Sequence, residues 1–309
     1  MNDSVLYAPD LFGSSSAPKA SGPVAEKFLF PPFTVLDARS GEWQERKRAW
    51  ASLGMKSEVG RSDELAYSGA AKSFDYYRQK EGLRETSQEQ GTSIFDPALC
   101  EAAYRWFCGA GGQVVDPFAG GSVRGIVAAQ LGLDYWGCDL RAEQIEANRA
   151  QAETICAGNK PQWVCGDSME TLASAPAADF IFSCPPYGDL EVYSDDPADL
   201  SNMEWHTFVA AYKRIILRAV GKLKDDRFAC FVVGDFRDPK GFYRDFVSTT
   251  IRAFEECGAR LYNEAILVTS VGSASMRVTK QFDASRKMAK THQNVLVFCK
   301  GDPRKAAAA

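Results

Sequence analysis

The chain has 309 residues, of which 45% are hydrophobic and 25% are charged, a composition typical of a folded globular protein. Its 36 Lys and Arg residues stand against 40 Asp and Glu residues, giving a net charge of -4, which argues against a protein that coats nucleic acid through bulk positive charge. No apolar run approaches the ~20 residues that a membrane helix needs, and nine cysteines without a CxxC pair, beside only two histidines, predict reduced thiols in a cytoplasmic protein and no metal site.

Two tails and one extension flank the predicted domain. Residues 1–25 are rich in Ser, Ala, Gly and Pro and predict a flexible tail, and residues 303–309 predict a second one. Residues 26–92 form an N-terminal extension that we expect to pack on the domain. Within it, Trp43 and Trp50 are seven positions apart, which predicts an amphipathic helix with both rings on one face.

Residues 93–302 alternate between apolar strand patterns and amphipathic helix patterns. Ser201 and Glu204 predict a capping box at the start of a long helix, and no helical pattern separates the last two strands. The alternation predicts a doubly wound α/β domain, with a mostly parallel sheet of about seven strands and an antiparallel C-terminal edge. The predicted helices cover 97–108, 124–131, 143–157, 201–223 and 242–256, and the predicted strands cover 113–116, 135–139, 162–165, 179–183, 228–233, 265–269 and 294–298.

A glycine-containing turn follows the first strand of this domain. Gly120 and Gly121 let the backbone approach a ligand closely, because they carry no side chain. Asp139 ends the next strand, 23 positions after Asp116, and an acid at about that distance is placed to bind ribose hydroxyls. Together these residues predict a nucleoside-type cofactor.

Asp167 follows the third strand, so it is expected at the same edge of the sheet as Asp139. Its carboxylate can accept a hydrogen bond from an adenine amine. Asp167 and Ser168 are also good helix N-cap residues. The sequence leaves both interpretations open.

The run Ser-Cys-Pro-Pro-Tyr, residues 183–187, ends the fourth strand. Pro185 and Pro186 fix an extended backbone and remove two N–H donors. Neighbouring carbonyls are then available as acceptors, and Tyr187 offers a flat ring face for stacking. The alternative is a Pro-Pro turn with a purely structural role.

In their order and spacing, these motifs resemble those of the DNA amino-methyltransferases, which transfer a methyl group from S-adenosylmethionine to adenine N6 or cytosine N4. Asp116–Gly120 resembles their cofactor loop, and Phe95–Glu101 resembles the helix start that contacts the methionine moiety. Cys184–Tyr187 falls where they carry Asp, Asn or Ser followed by Pro-Pro-Tyr or Pro-Pro-Phe. Thr291–Lys300 resembles their closing strand, so the resemblance covers about residues 93–302.

The resemblance implies a Rossmann-like methyltransferase domain that binds S-adenosylmethionine and double-stranded DNA. Residues 30–60 resemble the leader of phage-borne members, which implies a phage or restriction-modification context. For the N-terminal extension, packing on the domain and extension of its DNA surface are the two alternatives. The predicted catalytic residues are Ser183, Cys184, Pro185, Pro186 and Tyr187. The predicted cofactor-binding residues are Phe95, Asp96, Pro97, Asp116, Pro117, Phe118, Ala119, Gly120, Gly121, Ser122, Asp139, Leu140, Asp167 and Ser168.

The implied mechanism flips the base out of the DNA helix and stacks it on Tyr187. The residue at position 184 and the Pro185 carbonyl hold the exocyclic amine, and transfer is an in-line displacement helped mainly by positioning. Cys184 departs from the family pattern, because a thiol is a weak hydrogen-bond acceptor.

Three alternatives follow from Cys184. Ser183, Asp189 or Glu191 takes over the contact with the amine. Cys184 is instead a nucleophile that adds to pyrimidine C6 for C5 modification, although the C5-cytosine methyltransferases carry their cysteine after the Pro-Pro pair. In the third alternative, the chain binds the cofactor without catalysis or acts on RNA.

The stretch Met276–His292 carries five basic residues against one acidic residue. It joins the last two strands, and we expect it to contact DNA phosphates, which give salt-dependent affinity without sequence reading. A solvated loop is the alternative, and Arg46–Arg48 is a second basic candidate. The predicted DNA-binding residues are Arg277, Lys280, Arg286, Lys287 and Lys290.

Overall fold

The computed structural model describes residues 28–55, 95–188, 194–271 and 274–309, with backbone alone for 274–277. Asp189, Glu191 and the side chain of Arg277 lie outside the described part. The described strands are β1 Val35–Asp37, β2 Gln113–Asp116, β3 Asp134–Asp139, β4 Gln162–Cys165, β5 Ala178–Ser183, β6 Leu223–Val233, β7 Ala259–Val268 and β8 His292–Lys300. The described helices are α1 Gly41–Ala51, α2 Pro97–Phe107, α3 Val123–Gln130, α4 Ala142–Ile155, α5 Ser168–Thr171, α6 Trp205–Lys222, α7 Phe246–Glu256, α8 Ala274–Ser285 and α9 Pro303–Ala306.

These strands form one sheet in the order β1-β7-β8-β6-β5-β2-β3-β4. All neighbours pair in parallel except β8, which is antiparallel to both β6 and β7. This confirms the predicted doubly wound, mostly parallel α/β fold of the Rossmann-like type. The antiparallel strand β8 lies between β6 and β7 instead of at the edge, because it pairs with both of them. Strand β1 from the N-terminal extension adds an eighth strand beyond β7.

The central strands are buried on both faces, which explains their nearly continuous apolar sequences. Val114 and Phe180 point into a core beneath α2 and α3, while the adjacent Val115 and Ile181 belong to a second core beneath α6 and α7. The period of two along each strand produces this division. No helix in the described ranges is long and apolar enough to cross a membrane.

The start of α6 differs from the sequence prediction. The capping box is wrong, because Ser201 lies in a short 3-10 turn whose N-cap is Asp199. The helix begins only at Trp205, and Glu204 makes no side-chain cap. Asp199 competes successfully because its Oδ1 accepts both the backbone N–H and the hydroxyl of Ser201, at 2.9 and 2.7 Å.

Three further elements depart from the prediction. Helix α7 begins at Phe246 instead of position 242, because the Asp235 carboxylate accepts the N–H groups of Phe246 and Val247 at 2.6 and 3.1 Å. Helix α8 occupies the connection between β7 and β8, where no helix was predicted. Residues 303–309, predicted as a tail, include α9, and Ala306 is buried against the domain.

Residues 28–55 of the N-terminal extension pack on the domain. Trp43 and Trp50 are both buried, as their spacing predicts, and the Trp43 ring stacks on Phe30 with centroids 4.4 Å apart. Beyond α1, strand β1 pairs with β7. The described part of the extension is therefore continuous with both the core and the sheet.

A buried carboxylate joins α1 to α2. Glu101 is fully buried and accepts hydrogen bonds from Arg46 Nε at 2.6 Å, Trp50 Nε1 at 2.6 Å and Arg105 Nε at 2.9 Å. A buried charge of this kind depends on retaining its partners. Arg46 is thus held inside the fold, which removes it from the basic run that the sequence offered to phosphates.

Replacement of Glu101 by Gln should destabilise the protein by about 3 kcal/mol, because two arginines then lose their buried counter-charge. Urea unfolding followed by circular dichroism measures this. Glu256→Gln is the matched control, since Glu256 pairs with Lys213 at the surface, and such pairs contribute at most ~1 kcal/mol. Equal losses in the two variants would contradict the structural role assigned to Glu101.

Candidate active site

A cavity of about 430 Å³ opens at the carboxyl ends of the parallel strands. The chain leaves β2 towards β3 on one side and runs from β5 towards β6 on the other, so β2 and β5 flank the crevice where open α/β sheets bind ligands. Fourteen of the predicted site residues line this cavity. They are Phe95, Asp96, Pro117, Phe118, Gly120, Gly121, Asp139, Leu140, Asp167, Ser168, Cys184, Pro185, Pro186 and Tyr187.

Asp139 and the glycine turn are hydrogen-bonded to each other. Asp139 Oδ2 accepts the Gly120 N–H at 2.9 Å, and Oδ1 accepts the Arg141 N–H at 3.0 Å. Burial raises the pKa of Asp139, and the two N–H groups oppose that rise. Each carboxylate oxygen has two acceptor sites, so Asp139 keeps capacity to bind a ligand hydroxyl.

Gly120 has a left-handed backbone, with φ of +49°, which favours glycine. Its carbonyl accepts from Asn148 Nδ2 at 2.7 Å, and Gln144 in turn donates to Asn148 at 3.0 Å. Apart from Gly120 and its two neighbours in the chain, no described residue has an atom within 4 Å of the position that a Gly120 Cβ would take. The turn is thus held from behind and leaves space on its open side.

Both interpretations of Asp167 are compatible with its position. It is the N-cap of α5, where Oδ1 accepts the Met169 N–H at 2.8 Å, and it also lines the cavity. Ser168 donates to the Pro117 carbonyl at 2.6 Å. The cap uses one acceptor site of Asp167 Oδ1, so the carboxylate keeps acceptor capacity for a ligand.

Asp116 stabilises the turn between β2 and α3 from inside the core. It is fully buried and accepts hydrogen bonds from Arg124 Nε at 2.6 Å, Tyr135 Oη at 2.7 Å, Ser183 Oγ at 2.5 Å and the Phe118 N–H at 3.1 Å. Ser183 is likewise fully buried. These contacts give both residues a positioning role, and they do not line the cavity.

Three other residues that were predicted to bind the cofactor are also buried away from the cavity. Pro97, Ala119 and Ser122 are buried and are not among the cavity-lining residues. Pro97 is at the first turn of α2, and Ser122 is the residue before α3. These residues can affect a ligand only indirectly, because they position the backbone where α2 and α3 begin.

The four residues Cys184–Tyr187 all line the cavity. The Tyr187 ring packs edge-on against Phe236 and Phe246, with centroids 6.1 and 6.0 Å apart. Its hydroxyl accepts a hydrogen bond from Gln293 Nε2 at 2.8 Å. These contacts hold the ring from its edge and its hydroxyl, and the half-buried residue keeps surface at the cavity.

Several residues that line the cavity were not among the predicted site residues. Arg124 is buried beside the Phe95 ring, 4.6 Å from its centroid, and donates to the Ala119 carbonyl at 2.9 Å. Gln293 comes from β8, and Gln44 and Lys47 come from α1. Two of these four residues had a sequence signal, because Gln293 lies within the resembling closing strand and Lys47 lies within the basic run Arg46–Arg48.

The predicted DNA-binding residues do not form one cluster at the cavity. Lys290 lies near Tyr187, since a Cβ on Gly234 would be 3.4 Å from Lys290 Cε and 4.0 Å from Tyr187 Oη. Burial lowers the pKa of Lys290, and Asp235 opposes that change. Lys280 and Arg286 are exposed, and Lys287 is half-buried.

No family model matches the chain, and no curated protein matches its sequence. Similar solved structures include TrmN from Thermus thermophilus, with 15% identity over 66% of this chain and 48% of that one and a TM-score of 0.43. Magnesium protoporphyrin IX methyltransferase from Synechocystis, solved with bound SAM, has 11% identity, coverage of 74% and 91%, and a TM-score of 0.43. A TehB-like SAM-dependent methyltransferase from Corynebacterium glutamicum has 18% identity, coverage of 75% and 100%, and a TM-score of 0.40. At these values the likeness concerns the α/β architecture alone.

Removal of the Ser183 hydroxyl should act on stability. Ser183→Ala loses a buried hydrogen bond to the Asp116 carboxylate, which costs about 1.5–3 kcal/mol, measurable by urea unfolding. Ser174→Ala is the control, because Ser174 bonds a backbone carbonyl at the exposed surface and should change stability by less than about 0.5 kcal/mol. A Ser183→Ala protein as stable as the parent would contradict the buried network.

Proposed function

We propose that this chain is an S-adenosylmethionine-dependent methyltransferase that methylates an exocyclic amine of a DNA base, either adenine N6 or cytosine N4. The observation that carries the proposal is a shared cavity. The Gly120–Asp139 turn and the Cys184–Tyr187 motif line the same space, so a cofactor on the first can meet a base on the second.

The cavity fits a nucleoside cofactor in size and chemistry. Its volume of about 430 Å³ lies within the ~300–1,000 Å³ of small-molecule sites. Asp139 offers a carboxylate to ribose hydroxyls, Asp167 offers one to an adenine amine, and Leu140 adds an apolar contact. When bound, S-adenosylmethionine supplies an electrophilic methyl group.

The residues of the motif then position the acceptor. Tyr187 stacks on the planar base, and Gln293 holds the Tyr187 hydroxyl so that the ring keeps its orientation. The Pro185 carbonyl and Cys184 accept from the exocyclic amine and direct its lone pair towards the methyl group. Transfer would form the N–C bond as the C–S bond breaks, with S-adenosylhomocysteine as the leaving group, and the methylated nitrogen would then lose one proton to solvent. The main contribution of the chain would be orientation.

The loop between β6 and α7 supports a nucleic-acid substrate over a small molecule. Phe242 is 71% exposed and Tyr243 is 48% exposed. The Arg237 guanidinium lies 4.0 Å from the Tyr243 ring centroid, and Lys290 Nζ lies 6.0 Å from it. Exposed rings beside cations are the combination that binds stacked bases and phosphates.

Lys290 links this loop to the basic stretch predicted from the sequence. It lies beside both Tyr187 and Tyr243, whereas Arg286 and Lys287 precede it in the connection to β8. We therefore propose that Arg277, Lys280, Arg286, Lys287 and Lys290 contact the DNA phosphates on either side of the target base.

Reversal of two of these charges should weaken DNA binding and its salt dependence. For Lys287→Glu with Lys290→Glu, the slope of log affinity against log salt should fall by about 1.8, which corresponds to two phosphate contacts. Fluorescence anisotropy with a labelled duplex at several salt concentrations measures this.

The matched control carries Arg260→Glu with Arg304→Glu. These residues lie near the starts of β7 and α9, away from the carboxyl ends of the parallel strands. The control has the same net charge as the test variant and should bind more tightly. Equal binding by the two proteins would refute the location of the DNA surface.

Nucleoside mass spectrometry of DNA co-expressed with the protein tests the reaction itself. We expect new N6-methyladenine or N4-methylcytosine. Cys184→Ser should retain it within roughly tenfold, the equivalent of one neutral hydrogen bond, because a hydroxyl is a better acceptor than a thiol.

Other products would overturn the amine assignment. A C5-modified pyrimidine that disappears in Cys184→Ser would make Cys184 a nucleophile, since a serine hydroxyl is a far weaker one. Methylated RNA together with unmodified DNA would show that the substrate is RNA and not DNA. No modified nucleoside in either polymer would contradict the proposed transferase.

A further inference from the structure

The N-terminal helix α1 forms part of the cavity wall beside the start of α2. Lys47 and Gln44 from α1 line the cavity together with Phe95 and Asp96. Lys47 Nζ is 3.9 Å from Asp96 Oδ2. A cation and an anion from two separate chain segments therefore stand side by side at the cavity.

The Asp96 carboxylate is fixed on both oxygens. Oδ1 accepts the Ala98 N–H at 2.9 Å as the N-cap of α2, and Oδ2 accepts Trp43 Nε1 at 3.0 Å. Each oxygen keeps a second acceptor site for a further donor. Its side chain is only 15% exposed, so a donor from the cavity would meet a desolvated anion.

Lys47 combines a fixed backbone with a movable charge. Its neighbours on α1 are anchored, because Arg46 and Trp50 bind the buried Glu101 and Trp43 binds Asp96. The Lys47 side chain itself is 41% exposed. Its ammonium can thus adjust to a ligand without loss of a core contact.

Other cavity cations are already engaged near different groups. Arg124 is bonded to Asp116 and to loop carbonyls. The Arg141 charge acts on Asp139, where it lowers the pKa of that carboxyl against the rise that burial causes. Lys47 is the cavity-lining cation, within the described residues, that is paired with Asp96.

We propose that Lys47 of the N-terminal extension completes a subsite for the α-amino-acid group of the cofactor beside Asp96, where the resemblance already implies a contact with the methionine moiety; this inference rests on the proposed function. The Lys47 ammonium binds the ligand carboxylate, and the Asp96 carboxylate binds the ligand ammonium. The two ligand charges are attached to one carbon, which matches a cation and an anion held about one ion-pair distance apart. The N-terminal extension thereby contributes directly to cofactor binding and selects ligands with an intact amino-acid group.

Isothermal titration calorimetry with two ligands tests the subsite without any methyl transfer. S-adenosylhomocysteine contains the amino-acid group, and 5′-methylthioadenosine keeps the adenosine and the sulfur without it. Lys47→Ala should weaken S-adenosylhomocysteine binding by about 10- to 100-fold, the range for a hydrogen bond to a charged group. Binding of 5′-methylthioadenosine should stay within about twofold, because that ligand has no partner for Lys47.

Two further variants separate charge from structure. Lys47→Arg should restore most of the affinity for S-adenosylhomocysteine, because it keeps the positive charge. Arg48→Ala removes an exposed cation one position further along α1 and should leave both affinities unchanged.

The outcomes distinguish this inference from the function on which it rests. Parent protein that binds neither ligand would overturn the proposed function. Parent protein that binds S-adenosylhomocysteine with an affinity unchanged in Lys47→Ala would overturn the subsite alone. Equal weakening of both ligands in Lys47→Ala would also overturn it, since that pattern indicates a general structural effect.

Discussion

The architecture of the cavity depends on the buried carboxylate of Asp116. It joins β2 to β3 through Tyr135, to β5 through Ser183 and to α3 through Arg124. Burial by itself lowers the pKa of Arg124, but the Asp116 charge, the Asp116 hydrogen bond and the charges of Tyr135 and Cys184 together outweigh burial and raise it. The guanidinium thus stays charged and compensates the buried anion. Because a lone buried charge is so costly, the strand ends and the turn after β2 must keep one relative position. Arg124 also binds the Ala119 carbonyl, which extends this constraint to the glycine turn.

From that fixed turn, the two halves of the candidate site follow in opposite directions. Towards β3 and β4, Gly120, Asp139 and Asp167 present backbone and carboxylates suited to a nucleoside. Towards β5, the Pro-Pro run places Cys184 and Tyr187 at the same cavity. Strand β8 supports the second half, because Gln293 reaches the Tyr187 hydroxyl. Insertion of β8 between β6 and β7 is thus significant for the site as well as for the sheet.

The N-terminal extension forms part of the candidate site and does not merely flank the domain. Glu101 ties α1 to α2, and Trp43 ties α1 to Asp96. These contacts place Lys47 at the cavity, although Lys47 and Asp96 are more than 40 positions apart in the sequence. Residues 56–94, which lie between them, are outside the described part. The chain therefore builds the cavity from three regions: the extension, the parallel strands with their turns, and the returning strand β8.

Local signals were sufficient for much of this protein. Apolar period and turn residues predicted α1, α2 and the four strands β2 to β5 closely, because those elements are encoded by neighbouring residues. The order of Asp116, Asp139 and Cys184–Tyr187 predicted which strand ends line the cavity, since parallel strands bring their carboxyl ends to one edge. Tertiary structure alone decided that Asp116 and Ser183 face inwards and that β8 lies between β6 and β7. It also decided that α7 begins at Phe246 and that Lys47 and Gln293 reach the site. Each of these depends on pairing between groups far apart in sequence, where buried charges and hydrogen-bond donors select partners that no local pattern reveals.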